Sequence, residues 1–250
     1  MPAVRTTAGA VADKSTLPAT TTWTPISSIT LAAGETLIVG VAFVDTVATS
    51  VLSATWNGVA MTADIPTFGV ATNQWDTCFS LKSAGGGTGN LVLTITGSGL
   101  NWSAFNAAAV IAIKVTGLTD TPFDQSATGG ANNTVQATGT SGTLTQADEF
   151  LFAISHLNGP TAEGPPTWTG DPNTAGQNAS TTGAGATSNI SISEAYLNPT
   201  TTTAGKTATA TWLTARNGGV FLATYKITAV PFISEPPKIV SQAIARSAGY

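Results

Sequence analysis

The residues that could do chemistry in this chain are few and far apart. The one histidine, His156, ends the run EFLFAISHL, and a Ser-His-Asp relay would depend on it as the sole imidazole. No G-x-S-x-G turn occurs to present a nucleophilic serine to it. The residue therefore reads as a strand-end side chain, partly buried. The one cysteine, Cys78, lies in QWDTCFSLKS. A lone thiol excludes an intramolecular disulfide framework and a Cys-rich metal site, and the alternation around it places it as a small buried hydrophobe. Of the 13 acidic residues, Asp45, Asp64, Asp76, Asp120 and Asp124 are dispersed, and no D-x-D-x-D-G calcium loop is present. Asp148 and Glu149 are neighbours, so on a strand they point to opposite faces and do not form a glycosidase pair by themselves. The Gly-rich runs SAGGGTGN and TGGANN lack the lysine and following helix of a phosphate loop. The expectation is a non-enzyme with no cofactor and no metal.

Aromatic side chains are the remaining candidates. Of six tryptophans, Trp56, Trp75 and Trp212 fall in alternating strand patterns and read as core. Trp102 (LNWSAF) and Trp168 (PPTWTG) fall in loop-like sequence, where a ring is free to stack on a sugar or on a partner.

The elements that must position these residues are strands. LIVGVAF is a continuous apolar run of strand length, and WDTCFSLK and NLVLTIT alternate. Asn57-Gly58 between two β-type runs predicts a type I′ hairpin. Asn217-Gly218 predicts a turn before the last strand, and residues 158–187 read as a long loop. Residues 27–44 overlay residues 140–157 without a gap, and 109–117 overlay 221–229 with Lys114 on Lys226. A spacing of about 110 residues suits one sandwich domain and is too long for a solenoid. The chain thus reads as all-β: two tandem jelly-roll-like antiparallel sandwich units with extended N- and C-terminal arms. The expected boundaries are an arm at 1–22, a first unit at 23–118, a linker at 119–134, a second unit at 135–230 and a second arm at 231–250.

Composition agrees with that class. Hydrophobic residues are 42% of the 250, which suffices for a sizeable core, while charged residues are 9%, against about 25% in an ordinary soluble domain. The net charge is −4 and the nine Lys and Arg are scattered, so the electrostatic footprint of nucleic-acid binding is missing. No apolar run approaches a membrane span, and the first residues show no signal-peptide core. The tail PFISEPPKIVSQAIARSAGY differs from everything before it. Its prolines force an extended run, after which Ile239, Val240 and Ile244 share one face of a short helix. So short a helix needs a surface to lie on. Phe232, Ile233, Ile239, Val240, Ile244 and Tyr250 are accordingly the candidate partner-binding residues.

Several stretches together resemble a known group. They are GETLIVGVAF, SATWNGVAMT, LKSAGGGTGNLVLTIT, AAVIAIKVTGL with PFDQSATG, and ADEFLFAIS in the second half. Over residues 23–230 the chain resembles two-repeat β-sandwich structural proteins of tailed bacteriophage virions and related bacterial surface modules. That resemblance implies a capsid decoration (cement) or fibre-type protein on the capsid exterior. Its partners would be the major capsid protein or other virion proteins, and it would form a homo-oligomer such as a trimer, without nucleic acid or membrane. The alternative it implies is a glycan-binding module of a fibre or bacterial surface protein. A jelly-roll glycoside hydrolase is the third reading.

Overall fold

The structure, a computed structural model, describes residues 3–13, 17–44, 51–71, 73–96, 101–159, 161–181, 189–198 and 200–229. It is all-β and antiparallel. The strands are β1 (Val4–Asp13), β2 (Thr22–Leu31), β3 (Thr36–Val44), β4 (Val51–Trp56), β5 (Val59–Ala60), β6 (Thr62–Ala71), β7 (Gln74–Lys82) and β8 (Gly87–Thr96). They continue with β9 (Ala107–Thr116), β10 (Leu118–Ala137), β11 (Glu149–Gly159), β12 (Thr167–Gly170), β13 (Thr174–Ser180), β14 (Asn189–Leu197) and β15 (Ala208–Ile227). A single 3-10 turn, Trp102–Ala104, interrupts them among the described residues. The hairpin at Asn57-Gly58 forms as the sequence predicts, with φ of 49° and 76° at the two turn residues and Trp56 paired to Val59.

The strands build layers. A four-stranded sheet runs β2-β8-β4-β5, and a five-stranded sheet runs β1-β9-β3-β7-β6. Leu37, Val39, Val41 and Phe43 of β3 meet Trp23, Leu91 and Leu93 between these two, forming the first core. A third sheet runs β10-β15-β11-β14-β13. Numbered by their order along the chain within each sheet, the second and third sheets follow one path, 1-5-2-4-3. They pack face to face through a second core of Ile38, Ile111, Ile113, Phe150, Phe152 and Phe221. The packing is reciprocal: β1 lies on β13 as β10 lies on β6, β9 on β14 as β15 on β7, and β3 on β11. This pattern has the form of a pseudo-twofold axis between the sheets. A third core, with Leu151, Trp168, Trp212 and Leu222, covers the far face of the third sheet. The start of β15, with β12 and the end of β10, folds over that face. The fold-back is tight, since a Cβ on Gly129 would lie 2.1 Å from the Ala137 carbonyl oxygen.

Four expectations change. Residues 4–13, expected to belong to an extended arm, are an edge strand on β9. Their small side chains alternate, Ala8 and Val11 toward one core and Ala10 and Ala12 toward the other, with too little apolar bulk to show a period. The linker at 119–134 is the body of β10, polar because it borders a sheet, and β10 runs on to Ala137. The long loop at 158–187 contains β12 and β13. Asn217-Gly218 makes no turn; β15 runs through it, paired to Ala131 and Asn132, with Gly218 pressed against the His156 carbonyl. The short helix and the six candidate residues Phe232, Ile233, Ile239, Val240, Ile244 and Tyr250 lie outside the described residues.

The overlay of 27–44 on 140–157 is one residue out for β3 and β11. The side chains facing the second core are at 38, 42 and 44 in β3 and at 150, 152 and 154 in β11. A one-residue slip exchanges the faces of a strand, so Val44, not Phe43, corresponds to His156.

Candidate functional site

The groups that could do chemistry converge on the seam between the second and third sheets. Strand β7 carries Gln74, Asp76, Cys78 and Ser80 at every second position, and the two-residue period aims all four at the third sheet. Each is buried.

His156 comes from β11 opposite them and is fully buried, not partly as the sequence suggests. Its Nδ1 lies 2.9 Å from Asp76 Oδ1, and its Nε2 lies 2.7 Å from Gln74 Oε1. Asp76 has no hydrogen-bond donor among the described residues, so the imidazole is its sole compensation there. A catalytic relay requires the ring to face substrate. Here the ring is fully buried, with Nε2 bonded to Gln74 and Nδ1 held against Asp76. On the other flank Arg5 of β1 holds Glu194 of β14 through two bonds, Nε–Oε1 at 2.6 Å and Nη2–Oε2 at 2.7 Å. Its guanidinium also sits 4.5 Å over the Tyr196 ring. The Gln177 amide donates to the Ala112 carbonyl, adding another tie across the seam.

Where the seam opens beside β6 and β10 there is a cleft of about 390 Å³. Asp64 stands at its inner end, accepting from the Ser80 hydroxyl at 3.0 Å and from the Tyr225 hydroxyl at 2.9 Å. Burial pushes the Asp64 carboxyl up to about 6, with those two hydrogen bonds opposing the shift. Tyr225 also touches Cys78 Sγ at 3.3 Å, and burial drives both groups well above their ordinary values, so neither ionises near neutrality. On the rim, Lys82 Nζ donates to the Leu118 carbonyl at 2.9 Å and to Asp120 at 2.7 Å. That ammonium holds the Asp120 carboxyl below its usual range. Phe123 lines the opposite wall, braced edge-on by the Tyr225 ring at 6.2 Å.

A second acidic contact lies where β11 begins. Burial and the neighbouring Asp124 push the buried Glu149 carboxyl up to about 7. Burial also acts to raise Asp124. The hydrogen bonds from Glu149 and from the Thr145 backbone and hydroxyl outweigh it, so its carboxyl is held low.

The two tryptophans expected to face a ligand do not. Trp102 is fully buried, its ring 5.0 Å from that of Trp23 and 5.1 Å from that of Phe105. Trp168 is 6% exposed, with its indole N–H donating to Ser193. Trp102 anchors the 3-10 turn to the first core, and Trp168 lies on β12 with its ring in the third. The expectation for Cys78 holds, and Trp56 and Trp212 are core as read. What the sequence reading missed is the polar face of β7. The signal was present as Gln74, Asp76, Cys78 and Ser80 at a spacing of two, but such a face ordinarily means solvent.

Among the described residues no group of three or more His, Cys, Asp or Glu side chains could hold a metal. No model of a known family, no curated protein and no solved structure matches this chain.

Proposed function

We propose that this chain is a non-enzymatic structural protein of a bacteriophage virion, a capsid decoration protein that binds an assembled shell and stabilises it. The observation that carries this reading is the use made of the reactive groups. His156, Asp76, Cys78, Arg5 and Glu194 all lie in the seam and hold one sheet to the other. The charge-poor composition supports the same reading, because broad contacts between subunits are easier to bury when few charges must be desolvated. In this account the units are jelly-roll-like sandwiches, duplicated and docked. The partner is the major capsid protein or another virion protein, and the assembly is a homo-oligomer. A protein that binds only the assembled shell stabilises it by mass action.

Co-sedimentation of the full chain with undecorated phage capsids tests the reading. Saturable binding is the expected result. A protein left wholly in the supernatant at every capsid concentration contradicts it. The glycan-binding alternative no longer has Trp102 and Trp168 to rest on, since both rings are buried.

A further inference from the structure

We propose that the cleft between β6, β7 and β10 is a binding site for a neutral saccharide of about one pyranose ring, with Asp64, Lys82 and Phe123 as its recognition groups. This goes beyond the structural role proposed above and does not depend on it.

The volume, about 390 Å³, lies within the span typical of small-ligand sites, and the position between two packed units is where such sites gather. The lining then selects the chemistry. Asp64 has one hydrogen bond on each carboxylate oxygen, and each oxygen retains a second acceptor position. Lys82 has two of its three N–H groups engaged, leaving one donor. Thr121 adds an exposed hydroxyl on the rim. Phe123 supplies an apolar wall for the C–H face of a sugar ring. Tyr225 holds both the acceptor and the wall, because its hydroxyl bonds Asp64 while its ring braces Phe123. The platform is therefore pre-organised, which lowers the entropy lost on binding.

Other ligand classes fit less well. Asp64, which offers only acceptor oxygens to the cleft, disfavours an anion such as phosphate. Lys82 repels a cation, and its ammonium already neutralises Asp120. A purely apolar guest would strip water from the Asp64 carboxylate without replacing it. A ring that is apolar on one side and ringed by hydroxyls satisfies the wall, the acceptor and the donor together.

The experiment is ligand-observed saturation-transfer NMR on the full chain. The probes are the methyl glycosides of glucose, galactose, mannose and N-acetylglucosamine, each up to ~10 mM, a range that detects millimolar affinity. Four variants accompany the wild type: Phe123→Ala, Asp64→Asn, Thr121→Trp to fill the cleft from its rim, and Leu213→Ser in a separate groove beside Trp212. Transfer to at least one glycoside is expected, reduced at least about tenfold by each of the three cleft changes and unchanged by Leu213→Ser. Thr121 is exposed, so Thr121→Trp reads the cleft even where Asp64→Asn perturbs the fold. Absence of transfer to all four glycosides from the wild type overturns the proposal, as does transfer that survives Thr121→Trp and Phe123→Ala.

Discussion

Asp76 and Glu194 occupy the same place in two sheets that face each other. Asp76 is paired with Ala42 of β3, and Glu194 with Ile154 of β11, the corresponding residue of the other half. Each carboxylate is buried, and each meets a basic side chain supplied by the opposite sheet: His156 for Asp76, Arg5 for Glu194. The two carboxylates are therefore equivalently placed in the two sheets, while their basic partners come from different strands, β11 and β1. A buried carboxylate without a partner is strongly disfavoured, so each contact specifies which sheet must dock and in what register.

Removing the imidazole should expose that dependence. His156→Val leaves Asp76 buried without its basic neighbour and should lower stability by about 3–5 kcal/mol, as removal of one member of a buried pair does. The double change Asp76→Val with His156→Val should recover most of that loss, since two apolar groups no longer carry an uncompensated charge. Urea denaturation of the two variants and the wild type checks both parts. A double variant no more stable than the single one would mean that Asp76 needs no compensation.

Arg5 tests whether the first residues belong to the body. Arg5→Leu removes a two-point contact to a fully buried carboxylate, with an expected loss of about 3–5 kcal/mol in the same assay. Deleting residues 1–13 should be worse, because it also uncovers one edge of the second sheet and flanks of two cores. A deletion variant with wild-type stability would show that this segment adds nothing to the body.

Gly40 marks a close approach of the sheets. A Cβ there would lie 2.6 Å from Ile154 Cγ1 and 3.1 Å from Phe221 Cζ. Gly40→Ala should cost about 1–3 kcal/mol from overpacking, and Gly40→Val more. Thermal unfolding followed by circular dichroism gives the ranking. Equal midpoints for glycine and valine would show that the sheets are not in contact there.

The pH dependence has a definite sign. Asp64 and Glu149 have carboxyls raised from 3.8 to about 6 and from 4.5 to about 7. The folded state therefore holds protons that the unfolded chain has released, and the stability they contribute is complete below about pH 4 and lost as pH rises through 6 and 7. The size is at most ~3 kcal/mol for each group. Asp124, held low, acts in a separate window, losing its contribution only as pH falls below its ordinary value. Denaturation midpoints between pH 4.5 and 8.5 should fall with rising pH, and Asp64→Asn and Glu149→Gln should each flatten the curve. A profile that rises through this range contradicts the assignment.

Most of the strand content was legible because β-branched and apolar residues alternate or run continuously wherever a strand is central. LIVGVAF became β3, and Asn57-Gly58 became the hairpin. Two edge strands, β1 and β10, were not legible. Residues 4–13 and 118–137 carry Ala, Gly, Thr and Asn, whose small or polar side chains look like linker although much of the backbone is paired. The third layer was hidden for a related reason. The polar face of β7 reads as solvent-facing until the opposing sheet, supplied from 75–150 residues further on, covers it with His156 and Tyr225. Trp102 and Trp168 misled in the opposite sense. Loop-like sequence around a large ring suggests exposure, while each ring fixes its segment, a 3-10 turn and the short strand β12, to a core.

The most direct test of the claim that the two halves form one body is differential scanning calorimetry of the full chain. The seam contains a hydrophobic core of its own and the paired groups of Asp76 and Glu194, so neither half should survive loss of the other. One transition is expected, with a van't Hoff enthalpy equal to the calorimetric enthalpy. Two separable transitions, with His156→Val shifting neither, would contradict it.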